Sequence, residues 1–144
     1  MIELEGVERV FQVGDEQVHA LRHIELRIED GEYLSVMGPS GSGKSTLLNI
    51  IGLLDRPSAG VYRLDGLDTT VLSEEQSARL RREKIGFVFQ VFHLIPRMTA
   101  EENVALPLVL AGVKPAERKV RVDRVLETLG LADRARHRPD QLSG

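Results

Sequence analysis

Residues 38–46 read Gly38-Pro39-Ser40-Gly41-Ser42-Gly43-Lys44-Ser45-Thr46, the pattern G-x-x-x-x-G-K-[ST]. It constrains the fold more than any other feature of the chain. Glycines let the backbone turn tightly, so that successive N–H groups face inward at an anion. Lys44 adds a mobile positive charge for outer phosphates, and the Ser45 hydroxyl can ligate Mg²⁺. The motif works only between a buried strand and the start of a helix. Upstream, Tyr33-Leu34-Ser35-Val36-Met37 is a short, mostly apolar run, the pattern of a central parallel strand. Downstream, Leu47, Leu48, Ile50, Ile51, Leu53 and Leu54 predict a helix that is apolar over most of its circumference and therefore buried. A flexible Gly/Ser turn would explain neither Lys44 nor these flanks.

Composition removes several alternatives. At 144 residues the chain suits one domain with a real core. The net charge of −3 gives no global electrostatic case for nucleic acid or an anionic membrane. The lack of cysteine excludes disulfides and thiolate metal sites. Met1-Ile2-Glu3-Leu4-Glu5 is acidic and lacks the apolar stretch of a signal peptide. The apolar runs 47–54 and 104–113 are interrupted and fall well short of the roughly 20 residues of a spanning helix. A cytoplasmic chain is expected, with any membrane link made through a partner.

The organisation is mixed. Ile24, Leu26 and Ile28 alternate with polar neighbours, so residues 21–28 predict a strand with one wet face. Residues 61–64 predict another, closed by the Asp65-Gly66 turn. Ser73-Glu74-Glu75-Gln76 and Thr99-Ala100-Glu101-Glu102 read as capping boxes opening helices. Between them, Ile85-Gly86-Phe87-Val88-Phe89 predicts a buried strand ending at Gln90. Pro107 is expected to end or kink its helix. A further helix starts near Lys114-Pro115, with an apolar face of Val122, Val125, Leu126 and Leu129 and Gly130 after its end. The expected division is residues 1–90, a β/P-loop core part, and 91–144, a helical part.

Other candidates read more simply. His19 and His23 fall on a strand, where four residues span about 13 Å, too far to share one ion. Arg79, Arg81, Arg82 and Lys84 stand among Glu74, Glu75 and Glu83, the pattern of a solvated helix face. Taken alone, Gln90 reads as hydrogen-bonding filler or as a functional side chain. Phe11 alone reads as core or as a base-stacking ring.

Three pieces read together are specific: the loop at 38–46, Gly86-Phe87-Val88-Phe89-Gln90 further on, and Leu142-Ser143-Gly144. Together they resemble the ATP-binding subunit of an ABC transporter, over essentially the whole chain. Ile50-Ile51-Gly52-Leu53-Leu54-Asp55-Arg56-Pro57 and Leu94-Ile95-Pro96 resemble its lipoprotein-releasing and macrolide-exporter branch. The resemblance implies an α/β fold: a P-loop NTPase core with an N-terminal antiparallel β portion and a helical subdomain. It implies that Phe11 stacks on adenine and that Gly38, Pro39, Ser40, Gly41, Ser42, Gly43, Lys44, Ser45 and Thr46 hold the phosphates of ATP. Lys44 would be the catalytic lysine. Ser45 and Gln90 would complete Mg²⁺ coordination, Gln90 sensing the γ-phosphate. Residues 91–142 would contact transmembrane permease subunits at the inner face of the cell membrane. Leu142, Ser143 and Gly144 would open the signature motif, which reaches the opposite subunit's ATP in a head-to-tail homodimer. No nucleic-acid partner is implied.

Departures from the family pattern shape the expectation. The signature stops after its first glycine, and the strand bearing the Mg²⁺-site Asp, the catalytic Glu and the switch His would lie beyond Gly144. The expected fold of 1–144 is thus a partial ABC ATPase domain with its C-terminal core strands missing. No residue here matches the general base, so hydrolysis by these residues alone is not expected. Phe11 stands where Tyr is also common, and Val91 where many relatives are polar. The alternatives are a soluble P-loop NTPase or nucleotide kinase, or a non-transport ABC ATPase. Gln90 at a strand end and the terminal Leu-Ser-Gly favour the transporter.

Overall fold

The structure, a computed structural model, describes residues 1–142. Two compact units divide the chain, Met1–Val88 and Phe89–Gly144.

The first unit is organised by a four-stranded antiparallel sheet in the order β2-β1-β3-β4. Its strands are β1 (Ile2–Val13), β2 (Glu16–Ile28), β3 (Ala59–Leu64) and β4 (Leu67–Asp68). Strict alternation would put residues three apart on opposite faces. Leu4 and Val7 are three apart, yet both are buried. Bulges reset the alternation: the β1–β2 register shifts between Leu4 and Val7, where Gly6 takes φ 57°, and again between Val7 and Arg9, where His23 on β2 takes φ 47°. The inner face of the sheet thereby collects Leu4, Val7, Leu21, Tyr62 and Leu64 into one core with Ile50 and Leu53. Ile50 comes from α1 (Lys44–Ile51) and Leu53 from the turn after it.

Some expectations about these elements need correction. Residues 33–37 and 85–89 form no strand in the described residues. A strand is defined by its ladder partner, and every pairing described lies within residues 2–68. Several of their apolar side chains accordingly stand exposed, Met37 by 86% and Val88 by 101%, while Ile85 still packs against the core. The helix after the loop is also less enclosed than its composition suggests: Leu48 and Leu54 are exposed, and Ile50 alone of its residues is fully buried. α1 stops at Ile51, where the Gly52 N–H bonds to Leu48 O at 2.8 Å and Leu53 turns into the left-handed region at φ 54°. α2 (Glu74–Lys84) has the expected capping box between Ser73 and Gln76.

In the second unit α3 (Ala100–Leu110) and α4 (Pro115–Thr128) pack on a core of Ala100, Val122 and Leu126. Thr99 and Glu102 make the second capping box. The tail adds to that cap: the N–H groups of Ala100 and Glu101 donate to His137 O and Ala135 O at 2.8 and 2.9 Å. Pro107 does not end α3. The proline removes one ladder donor, and the last turn still closes through Ala111 N–H to Pro107 O at 3.0 Å. On α4 the buried stripe is narrower than the four-residue face expected. Val122 and Leu126 are buried, whereas Val125 and Leu129 are exposed.

Candidate functional site

The loop at 38–46 leads directly into α1, whose N-cap is Gly43 at φ 88°. The conformation is one that L side chains rarely adopt. A Cβ at position 43 would also lie 2.4 Å from Ala20 O and 3.0 Å from the Leu21 side chain. Strand β2 thus passes so close beneath the loop that only glycine fits. The sequence alone gave no signal for this: Ala20 stands more than twenty residues before Gly43 and belongs to no motif.

No side chain caps the N-terminus of α1, and its first turn has no acidic residue. The starts of α2 and α3 are satisfied by Ser73 and Thr99, whereas α4, like α1, has no side-chain cap but begins with Pro115 and carries Glu117 in its first turn. At α1 the orphan N–H groups and the positive end of the helix dipole are left for an anion. The Lys44 side chain folds back over the loop, its Nζ 2.8 Å from Gly38 O, 2.5 Å from Pro39 O and 3.3 Å from Ser42 Oγ. Its charge is therefore held at the mouth of the turn. A cavity of about 570 Å³ lies here, lined by Val18, His19, Ala20, Ser40, Gly41, Gly43, Lys44, Ser45 and Thr46. The arrangement offers an anion with several oxygens backbone N–H donors and one lysine charge.

A divalent cation at this site would have to use different donors from those of an all-protein cage. Among the described residues no group of three or more His, Cys, Asp or Glu could hold a metal. The exposed Ser45 hydroxyl suits the hard, oxygen-ligated, water-retaining Mg²⁺, with the remaining donors coming from phosphate and water.

Phe11 lies opposite Val18 in the β1–β2 register, and Val18 lines the cavity. The ring is half-buried, with the Arg9 guanidinium 4.4 Å from its centroid. Arg9 is one residue that sequence reasoning missed, since an isolated Arg on a strand has no distinguishing pattern. His19 is the other. Its strand placement stands as expected, but it borders the loop cavity. Gln90 is exposed and falls in the second unit, whereas the loop falls in the first. Leu142 packs against the Ala100, Val122 and Leu126 cluster. Ser143 and Gly144 lie outside the described residues.

Comparison with known proteins bears on the family and the fold. The family model described as ABC transporter matches residues 21–144. The chain is 54% identical over all 144 residues to the macrolide export ATP-binding/permease protein MacB of Marinobacter nauticus, covering 22% of that protein. It is 51% identical, again over its whole length, to the ABC transporter ATP-binding protein YknY of Bacillus subtilis, of which it spans 63%. Among solved structures, the ATP-binding cassette MJ0796 in a dimeric post-hydrolysis state bound to ADP and Pi matches with a TM-score of 0.86 at 45% identity. That match covers 99% of this chain and 63% of the cassette. The α/β architecture is therefore that of the ABC ATPase cassettes, and the chain belongs to the ABC transporter family.

Proposed function

We propose that this chain is the ATP-binding part of a transporter motor, binding MgATP and, within the whole protein, coupling ATP hydrolysis to transport across a membrane. The observation that carries the proposal is the loop 38–46 itself. An uncapped helix start, a glycine that nothing else can replace and a lysine bent over the turn make a receptor for a polyphosphate.

In this reading the amides of Gly41, Ser42, Gly43, Lys44, Ser45 and Thr46 bind the phosphates, with Gly38, Pro39 and Ser40 shaping the turn. Lys44 exchanges its loop carbonyls for phosphate oxygens and stabilises charge there. Ser45 and Gln90 hold Mg²⁺, which when bound neutralises charge on the outer phosphates. Phe11 stacks on the base. Leu142, Ser143 and Gly144 act on the nucleotide of a second copy in a head-to-tail homodimer. The partners are transmembrane permease subunits, which hold the chain at the cytoplasmic face of the membrane. No helix of the described residues is itself long and apolar enough to cross one. Fusion to a permease, as the name of the MacB relative states for that protein, would be one form of the same partnership.

Titration calorimetry with MgATP tests the proposal. Charge-assisted hydrogen bonds contribute about 1.5–3 kcal/mol, so Lys44→Ala should weaken binding by about 10- to 100-fold. Unchanged affinity would refute the phosphate assignment.

A further inference from the structure

Phe11 carries no polar atom, so nothing on the ring itself can fix its orientation by hydrogen bonding. The structure instead stacks a cation on it: the Arg9 guanidinium lies 4.4 Å from the ring centroid. Arg9 is in turn held by a two-bond fork to Asp55, Nε to Oδ2 and Nη2 to Oδ1, both at 2.8 Å. Both side chains are about three-quarters buried. Asp55 belongs to the turn that closes the loop helix, since the N–H groups of Leu54 and Asp55 donate to Asn49 O at 2.8 and 3.2 Å. The strand is pinned at the same place: Val10 N–H donates to Ser58 Oγ at 3.1 Å, and Ser58 N–H to Glu8 O at 2.8 Å. A continuous set of contacts therefore runs from the far end of α1 through Asp55 and Arg9 to the Phe11 ring.

We infer that Arg9 is a positioning residue for the nucleotide base, fixing the Phe11 ring from one face so that the other can stack on a purine. The inference rests on the reading of Phe11 as the base-stacking residue. Its physical basis is twofold. A planar, forked guanidinium held by a carboxylate is a rigid platform, which a flexible ammonium would not be. A cation on one face also draws on the ring's π-density, which favours an electron-rich purine on the opposite face.

The test separates base from phosphate by comparing ATP with inorganic tripolyphosphate, both with Mg²⁺, on the full chain. Cation–π contacts of this size imply that Arg9→Met weakens ATP binding by about three- to tenfold. Tripolyphosphate binding should stay unchanged, because that ligand has no base. Asp55→Asn, which keeps Arg9 and the side-chain volume, should weaken ATP by about twofold, again with tripolyphosphate unaffected. Unchanged ATP affinity in either variant, or an equal loss for both ligands, overturns the inference. Phe11→Ala distinguishes the two levels. If it leaves the ratio of the two affinities unchanged, the base-stacking reading itself fails. If it collapses the ratio while Arg9→Met does not, that reading stands and the role of Arg9 is wrong.

Discussion

The two units hold themselves together differently. The first buries seven apolar side chains between a bulged sheet and a short helix, with Tyr62 and Val7 wholly enclosed. Among the described residues the second has three buried, Ala100, Val122 and Leu126, and the start of α3 is tied down by the Thr99–Glu102 capping box and by the carbonyls of Ala135 and His137. A residue in the first core is surrounded by long-range contacts fixed by β-pairing, whereas one in the second is held between two helices and a tail. Unequal resistance to perturbation follows, and with it a division of labour. The loop is built on the unit with the larger core, which suits the proposed role, since a site binding through backbone amides would need those amides held still.

Truncation of Tyr62 should have the largest effect. Tyr62→Ala removes a fully buried ring and its hydrogen bond to Ile51 O at 2.8 Å. A loss of about 3–5 kcal/mol in denaturant unfolding is expected, as for other large aromatic truncations. Leu126→Ala in the second unit should cost about 2–3 kcal/mol, near the low end for such truncations, since fewer neighbours surround the space left behind. Amide exchange should then accelerate in α3 and α4 and stay slow in β1 and β3. If exchange rises equally in both, the contrast between the units is false.

A pH dependence sharpens the same contrast. Burial, aided by the negative charge of Asp65, pushes the Tyr62 phenol up from 10.0 to about 12. The protonated phenol is thus favoured by folding. That contribution is complete below pH 10 and is lost as the pH rises from 10 toward about 12. Stability should fall over this window in urea melts at stepped pH, with protection lost first in β3. Tyr62→Phe should flatten the curve, and an unaltered curve would mean that another group governs it. The smallest effects belong to the caps. Thr99→Ala and Ser73→Ala should each cost about 1 kcal/mol, read as faster exchange in the first turns of α3 and α2 respectively.

What was legible in the sequence follows the range of the interaction that decides it. The capping boxes at Ser73 and Thr99, the proline at the start of α4 and the loop glycines are local, and they appear as read. Segments 33–37 and 85–89 have strand composition but no ladder in the described residues, because composition specifies a preference and pairing requires a partner. Bulges at Gly6 and His23 were hidden for a related reason. They are visible only once two strands are in register. At the site, Lys44 and Gly43 announce themselves by motif. Ala20, His19 and the Arg9–Asp55 fork do not, since each is brought in by tertiary contact across twenty or more residues.

The central claim is that backbone amides of the loop and the first turn of α1 receive the phosphates. Residue-resolved amide exchange with and without MgATP tests this most directly. Bound phosphate oxygens would occupy the orphan N–H groups, so exchange at residues 40–46 should slow by at least about tenfold in a saturating nucleotide concentration. Slowing should be largest at Gly43, Lys44 and Ser45, where the helix start has no side-chain cap. Unchanged exchange across residues 40–46, with nucleotide demonstrably bound, would contradict the account.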